Sequence, residues 1–219
     1  LVVVSLGYLV MQAERTQNDL IQEFIPVAGM RHLSLPDGSQ VQLNSKSTLL
    51  YPKQFTGKER CVYLVGEANF KVKPDKKHPF IVKSDDFQVT ALGTEFNVSA
   101  YPENQEISTA LLSGSVLVEW GNLTQRTVLQ PDEQLTYDKE NRQFRVVHPD
   151  MADVTAWQRG ELVFNEMTVE DIIRVLERKY NYTFVYSLNQ LKKDRLSFRF
   201  KDKAPLAEVM DIIVDVAGN

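Results

Sequence analysis

Apolar and polar side chains alternate in short runs over the first two thirds of the chain, from about residue 27 to residue 147. Turn residues such as Pro36-Asp37-Gly38 and Ser113-Gly114 separate these runs at short, regular intervals. A period of two is typical of strands that bury one face, and the intervening turns indicate hairpins. The pattern predicts a mainly β domain over residues 23–150, which could be a sandwich, a barrel or a short solenoid of antiparallel strands.

After residue 150 the apolar spacing changes to that of alternating strands and helices. Residues Glu161–Phe164 form a predicted strand, and Thr168 is a predicted helix N-cap followed by carboxylates in the first turn. Asn181 is a plausible C-terminal stop, and Thr183–Tyr186 is a second predicted strand. The helix between them has one apolar stripe, formed by Val169, Ile172, Ile173, Leu176 and Tyr180.

The same pattern then repeats at a constant offset. Leu196–Phe200 is a predicted strand, Pro205 opens a helix, and Gly218 occupies the position that corresponds to Asn181. The second apolar stripe consists of Leu206, Val209, Met210 and Ile213. Residues 151–219 are therefore predicted to form a small α+β domain of tandem β-α-β repeats, whose second copy lacks its closing strand.

The first eleven residues, Leu1–Met11, carry no charge and are almost wholly apolar. A membrane-spanning helix needs about 20 apolar residues, so this run is too short to span by itself. We interpret residues 1–22 as the end of a transmembrane helix followed by a linker. The core of a signal peptide and a buried globular helix are the two alternatives.

Composition and motifs argue against several classes of function. The net charge of -4 is opposite in sign to the concentrated basic surface that nucleic-acid binding requires. The three histidines, His32, His78 and His148, have no metal-ligand spacing, and the chain has no nucleophile elbow or phosphate-binding loop. The sequence therefore predicts a protein that is not an enzyme and that uses no metal or cofactor.

Several strings together resemble the FecR-like anti-sigma factors of Gram-negative bacteria. They lie at residues 35–44 (LPDGSQVQLN), 50–52 (LYP), 66–70 (GEANF), 79–82 (PFIV), 92–98 (LGTEFNV), 112–116 (LSGSV) and 129–135 (LQPDEQL). Asp132 replaces the usual glycine of the last motif, and Asn69 replaces a more common aromatic residue. The segment from Trp157 onward is similar to the short domain found in the Bacteroidetes branch, which resembles the signalling domains of secretins and outer-membrane transducers.

The resemblance implies a relay across the cell envelope, with a single-pass anchor in the inner membrane and this region in the periplasm. A TonB-dependent outer-membrane transducer would supply the signal through its signalling domain. An extracytoplasmic-function sigma factor would be held by a cytoplasmic domain that is missing from this chain. A site-specific protease is a further expected partner, whereas nucleic acid is not.

The resemblance also marks one peptide bond. Some family members cleave themselves at the corresponding Gly-Thr bond, which is Gly93-Thr94 here, when the threonine hydroxyl attacks the preceding carbonyl. The alternative is structural: Gly93 adopts a positive φ in a turn, and Thr94 opens an ordinary strand.

An exposed β-α-β edge can accept a strand from a partner, which suggests that the C-terminal repeat is a docking surface. The predicted contact residues are Leu162, Phe164, Val185, Phe198 and Phe200. The alternative is that the repeat only completes the fold.

Two other functions are consistent with the same sequence. A carbohydrate-binding or adhesion module would present aromatic side chains from the set Tyr51, Tyr63, Tyr101, Trp120 and Tyr137. An envelope-assembly component is the other rival, because secretins use a similar repeat.

Overall fold

The computed structural model describes residues 20–85, 87–186, 195–201 and 204–217. The strands β1 to β13 span Leu20–Phe24, Arg31–Ser34, Gln40–Leu43, Thr48–Pro52, Arg60–Lys71, Phe80–Ser84, Phe87–Ala91, Glu95–Ala100, Glu106–Ser113, Val116–Trp120, Gln125–Leu129, Gln134–Asp138 and Gln143–Val147. Helix α1 (Met151–Val154), a 3-10 helix (Ala156–Arg159), β14 (Leu162–Thr168), α2 (Val169–Tyr180), β15 (Arg195–Phe200) and α3 (Leu206–Ala217) follow.

The first thirteen strands form one curled sheet, in which β5 is shared by two halves. The first part of β5 pairs with β4 and β6, and its second part pairs with β3 and β8. Described pairings in this sheet are antiparallel except that of β5 with β6. The inner faces of both halves contribute to one hydrophobic core, so the sheet packs against itself as a sandwich. We call this sheet the β domain.

Gly66 lies where β5 passes from one half to the other and has φ +107°. A Cβ atom there would lie 2.7 Å from the Cα atom of Ser47, which is fully buried. Glycine is required at this point because an L side chain would combine a disfavoured φ with a clash against main chain.

Residues from Met151 to Ala217 form what we call the C-terminal module. Strands β14 and β15 pair antiparallel, with Leu162 opposite Phe200 and Phe164 opposite Phe198. Helix α2 packs on β14, and α3 contacts α2. Seven buried side chains form the core, namely Leu162, Phe164, Ile172, Leu176, Phe200, Val209 and Ile213.

The structure confirms a mainly β region followed by a small α+β region. It also supports the predicted ends of α2. The Thr168 side chain accepts a hydrogen bond from the Asp171 N–H, and Asn181 adopts the left-handed conformation after the last turn. The predicted strand at Thr183–Tyr186 is wrong, because residues 181–186 belong to no strand. This segment instead contacts the last turn of α2, where the Phe184 N–H donates to a Glu177 carboxylate oxygen at 3.0 Å. Gly218 lies outside the described residues.

Candidate functional site

The outer face of the second half of the β domain is polar and buried. Gln42, Asn69 and Asn97 lie side by side on β3, β5 and β8, and each is at most 9% exposed. Neighbouring residues on these strands point into the hydrophobic core, so these three side chains point away from it. The 3-10 helix of the C-terminal module supplies a contact to this face, because the Trp157 indole N–H donates to Asn97 Oδ1 at 3.2 Å.

Glu67 lies on the same face and receives two hydrogen bonds. Asn44 Nδ2 donates to one carboxylate oxygen at 2.8 Å, and Asn97 Nδ2 donates to the other at 3.0 Å. Burial raises the pKa of the Glu67 carboxyl, while the bonds from Asn97 and Asn44 and the charge of Arg178 act in the opposite direction. Glu67 therefore links two motif asparagines from distant parts of the chain.

Arg178, in the last turn of α2, inserts into the β domain and is only 5% exposed. Its guanidinium carbon lies 3.8 Å from the centroid of the Tyr101 ring. Its Nη1 donates to Glu103 at 2.8 Å and to Asn104 at 3.1 Å. The Ala28 N–H donates to the main-chain oxygen of Arg178 at 2.9 Å. A charge-assisted pair, a cation–π contact and a main-chain bond thus converge on one residue.

The Tyr101 ring, which contacts the Arg178 guanidinium, is itself held in place by a hydrogen bond. Its hydroxyl donates to the main-chain oxygen of Ser45 at 2.8 Å, which fixes the ring against Arg178. Burial and, secondarily, the negative charge of Glu67 raise the pKa of Tyr101 well above its ordinary value. The phenol therefore stays neutral and serves as a hydrogen-bond donor. We call Glu67, Asn97, Tyr101, Trp157 and Arg178 the junction cluster.

The family motifs contain Glu67 and Asn97, but the sequence assigned them no role. Arg178 was missed altogether, because a basic residue in the last turn of a helix is ordinarily explained by the helix dipole. No local pattern distinguishes a buried arginine from an exposed one at that position.

Four of the five predicted partner contacts lie in or against a hydrophobic core. Leu162, Phe164 and Phe200 lie in the core of the C-terminal module, and Phe198 packs against that core. Their burial explains their apolar character by packing. Val185 is fully exposed, and all five residues remain predicted contacts.

The Gly93-Thr94 bond lies just before β8. Gly93 has φ +148°, and a Cβ atom there would lie 2.7 Å from the Cα atom of Pro74. The Thr94 hydroxyl is buried, and no described residue forms a hydrogen bond with it. Gly93 thus has the positive φ that the structural alternative expects.

Four of the five aromatic residues considered for carbohydrate binding are buried, and only Tyr63 is exposed. Within residues 20–85, 87–186, 195–201 and 204–217, no group of three or more potential ligands could hold a metal ion. The described part of the chain contains no helix with the length and apolar character needed to cross a membrane. The predicted span end at Leu1–Met11 lies outside the described residues.

Two family models match the sequence, FecR protein at residues 24–117 and FecR, C-terminal at residues 161–218. A search of curated proteins finds no match.

Two crystal structures of a proposed anti-sigma factor from Parabacteroides distasonis share the fold. The structure at 2.50 Å resolution has 32% identity and a TM-score of 0.86, over 91% of this chain and 92% of its own. The one at 1.65 Å has 32% identity and a TM-score of 0.85, over 90% and 92%. Because the β domain and the C-terminal module both match in this way, the chain belongs to the FecR-like family of anti-sigma factors.

Proposed function

We propose that this chain is the periplasmic sensor region of a membrane-anchored anti-sigma factor. It receives a signal from the signalling domain of a TonB-dependent outer-membrane transducer and relays it to an extracytoplasmic-function sigma factor. The observation that carries the proposal is the pairing of a FecR β domain with a C-terminal module that presents an exposed apolar segment. A site-specific protease that acts after docking would complete the relay.

The exposed segment directly follows α2. Tyr182 is 61% exposed and Val185 is fully exposed, and Tyr186 is partly exposed beside them. Exposed apolar side chains that are close together in the chain mark contact surfaces on soluble proteins. Residues 181–186 pair with no described strand. The Phe184 N–H is bonded to Glu177, and the rest of this main chain is available for strand addition by a partner. The signalling domain of the transducer is the partner that we expect here.

The test is a binding assay between residues 20–219 and the isolated signalling domains of the transducers encoded in the same genome. We expect selective binding to one domain, and we expect Val185→Asp to weaken it by roughly tenfold or more, because a charge would be buried in the contact. Val128→Asp is the matched control, since Val128 is half-exposed on β11 in the β domain.

Binding to none of the domains by a folded chain would overturn the proposed input. If both variants lose affinity equally, or if neither loses affinity, the docking surface does not lie at residues 182–186.

The Gly93-Thr94 bond gives a separate prediction. Cleavage would transfer the Gly93 acyl group from the Thr94 nitrogen to its hydroxyl oxygen, with the hydroxyl proton passing to the nitrogen, and water would then hydrolyse the ester. A base must accept the hydroxyl proton, but no described group is bonded to that hydroxyl. We therefore expect intact-mass measurement to show one 25.1 kDa chain after purification. A pair of fragments divided at this bond would establish self-cleavage.

A further inference from the structure

The face of the β domain that lies beneath the C-terminal module has an unusual composition for a buried surface. Asn69 and Asn97 are nearly inaccessible, yet both carry amide side chains. The neighbouring Gln42 amide donates to the Met30 sulfur at 2.7 Å, within the β-domain part of the chain. The Asn69 Nδ2 atom is buried without a hydrogen-bond partner among the described residues. Permanent interfaces are more apolar than the average surface, whereas interfaces that open resemble this polar face. Exposure of the face to water would therefore carry little hydrophobic cost.

Polar contacts attach the described part of the module to the β domain, in addition to the main-chain bond from the Ala28 N–H to the Arg178 oxygen. Arg178 bonds to Glu103 and Asn104, Trp157 bonds to Asn97, and Arg195 donates to Glu106 at 3.1 Å. Among these side chains, Arg178 is the most deeply buried and makes the most contacts. It is therefore the principal attachment.

The module is internally connected so that it would move as a unit. Arg199 of β15 pairs with Asp153 of α1, and Lys179 of α2 donates to the main-chain oxygen of Gly160. These contacts join the helices after residue 150 to the strands and helix of the module. Only residues 148–150 connect β13 to α1, which places a short hinge between the two bodies.

The principal attachment lies next to the exposed segment on one rigid helix. Arg178 is in the last turn of α2, Asn181 ends the helix, and residues 182–186 follow at once. The Phe184 N–H is bonded to Glu177, so a displacement of this segment is transmitted to the end of α2. A partner that engages residues 182–186 would therefore act directly on Arg178.

We propose that the C-terminal module is a releasable cap on the β domain, held closed by the insertion of Arg178 between Tyr101 and Glu103. Release turns the module about residues 148–150 and uncovers the polar face at Asn69 and Asn97. Release by a transducer domain rests on the proposed function, whereas the closed and released states belong to the chain itself. A partner that binds the released state more tightly shifts the population toward it.

Tryptophan fluorescence can read the release in the chain alone. The protein has two tryptophans, and Trp120→Phe leaves Trp157 as the single reporter. Trp120 Nε1 has no hydrogen-bond partner among the described residues, so this background change breaks no hydrogen bond there. In that background, Arg178→Ala should shift the Trp157 emission to longer wavelength. The radius of gyration, measured by X-ray scattering, should rise above the value of about 17 Å expected for a compact chain of this length.

Two further variants protect the test against misfolding. Glu103→Ala removes the carboxylate partner of Arg178 from the β domain and leaves α2 unchanged. It should shift both readouts in the same direction by a smaller amount, because Asn104 and Tyr101 remain. Arg174→Ala is the matched control on α2, because Arg174 pairs with Glu170 and Asp171 within the helix. Unchanged emission and radius in both Arg178→Ala and Glu103→Ala, or equal changes in Arg174→Ala, would overturn the proposal.

The affinity for a transducer domain distinguishes the two proposals. If a domain binds, Arg178→Ala should tighten the apparent affinity by roughly threefold or more, because the competent state is already populated. Weaker binding by the folded variant would show that the closed state is the receptive one and would overturn release by the partner. Fluorescence and scattering need no partner, so they decide whether the cap opens even where no domain binds.

Discussion

Replacing Gly66 by alanine is expected to lower the free energy of unfolding of the β domain by about 3 kcal/mol. A disfavoured φ costs roughly 1–2 kcal/mol, and overpacking of a buried site costs roughly a further 1–3 kcal/mol. The new Cβ atom would lie 2.5 Å from Ser47 Oγ and 2.7 Å from Ser47 Cα. The serine cannot move aside easily, because its hydroxyl accepts from the Glu67 N–H at 2.8 Å. The strain therefore falls on the strand that joins both halves of the sheet.

Gly57→Ala provides the matched control for this change. The nearest atoms to a Cβ at Gly57 are 3.8 Å away, and its φ lies outside the left-handed region. We expect its effect to stay within about 0.5 kcal/mol. Urea unfolding followed by circular dichroism measures both variants. Equal midpoints for the two alanine variants would show that β5 bends at Gly66 without needing glycine.

The elements that the sequence predicted are those determined by neighbouring residues. Thr168 and Asn181 define the ends of α2 through contacts and dihedral angles within one turn of the helix. The strands of the β domain follow from alternation and turn residues for the same reason. Asp132, which stands where related motifs have glycine, has φ +69°. The motif thus marks a backbone conformation, and aspartate is among the residues that tolerate it.

The features that sequence reasoning missed depend on contacts between distant residues. Arg178 bonds to Glu103 across 75 positions, and Trp157 bonds to Asn97 across 60. No periodicity reports such pairs. The strand prediction for Thr183–Tyr186 was wrong for a related reason. The apolar residues of this segment resemble a strand, but β14 pairs with β15 and the segment contacts the end of α2 instead. The burial of Phe164 and Phe200 likewise became visible only when the two strands were paired.

The second large effect is expected for Phe164→Ala in the C-terminal module. Phe164 is fully buried, and its ring centroid lies 4.8 Å from that of Phe198. Truncation of a buried phenylalanine costs about 3–5 kcal/mol, and a body of this size has little stability in reserve. We therefore expect the module to lose its fixed structure while the β domain, with its own core, stays folded. Hydrogen exchange would show rapid exchange confined to the C-terminal module.

Phe24→Ala is the control for this prediction, because the same group is deleted from a side chain that is already 56% exposed. Its cost should stay below about 1 kcal/mol. If Phe164→Ala instead unfolds both bodies in one transition, the polar junction must couple them far more strongly than its composition indicates. Separate loss of the module would show that the β domain does not need its cap in order to fold. That independence is the condition under which a partner could open the junction without unfolding the rest of the chain.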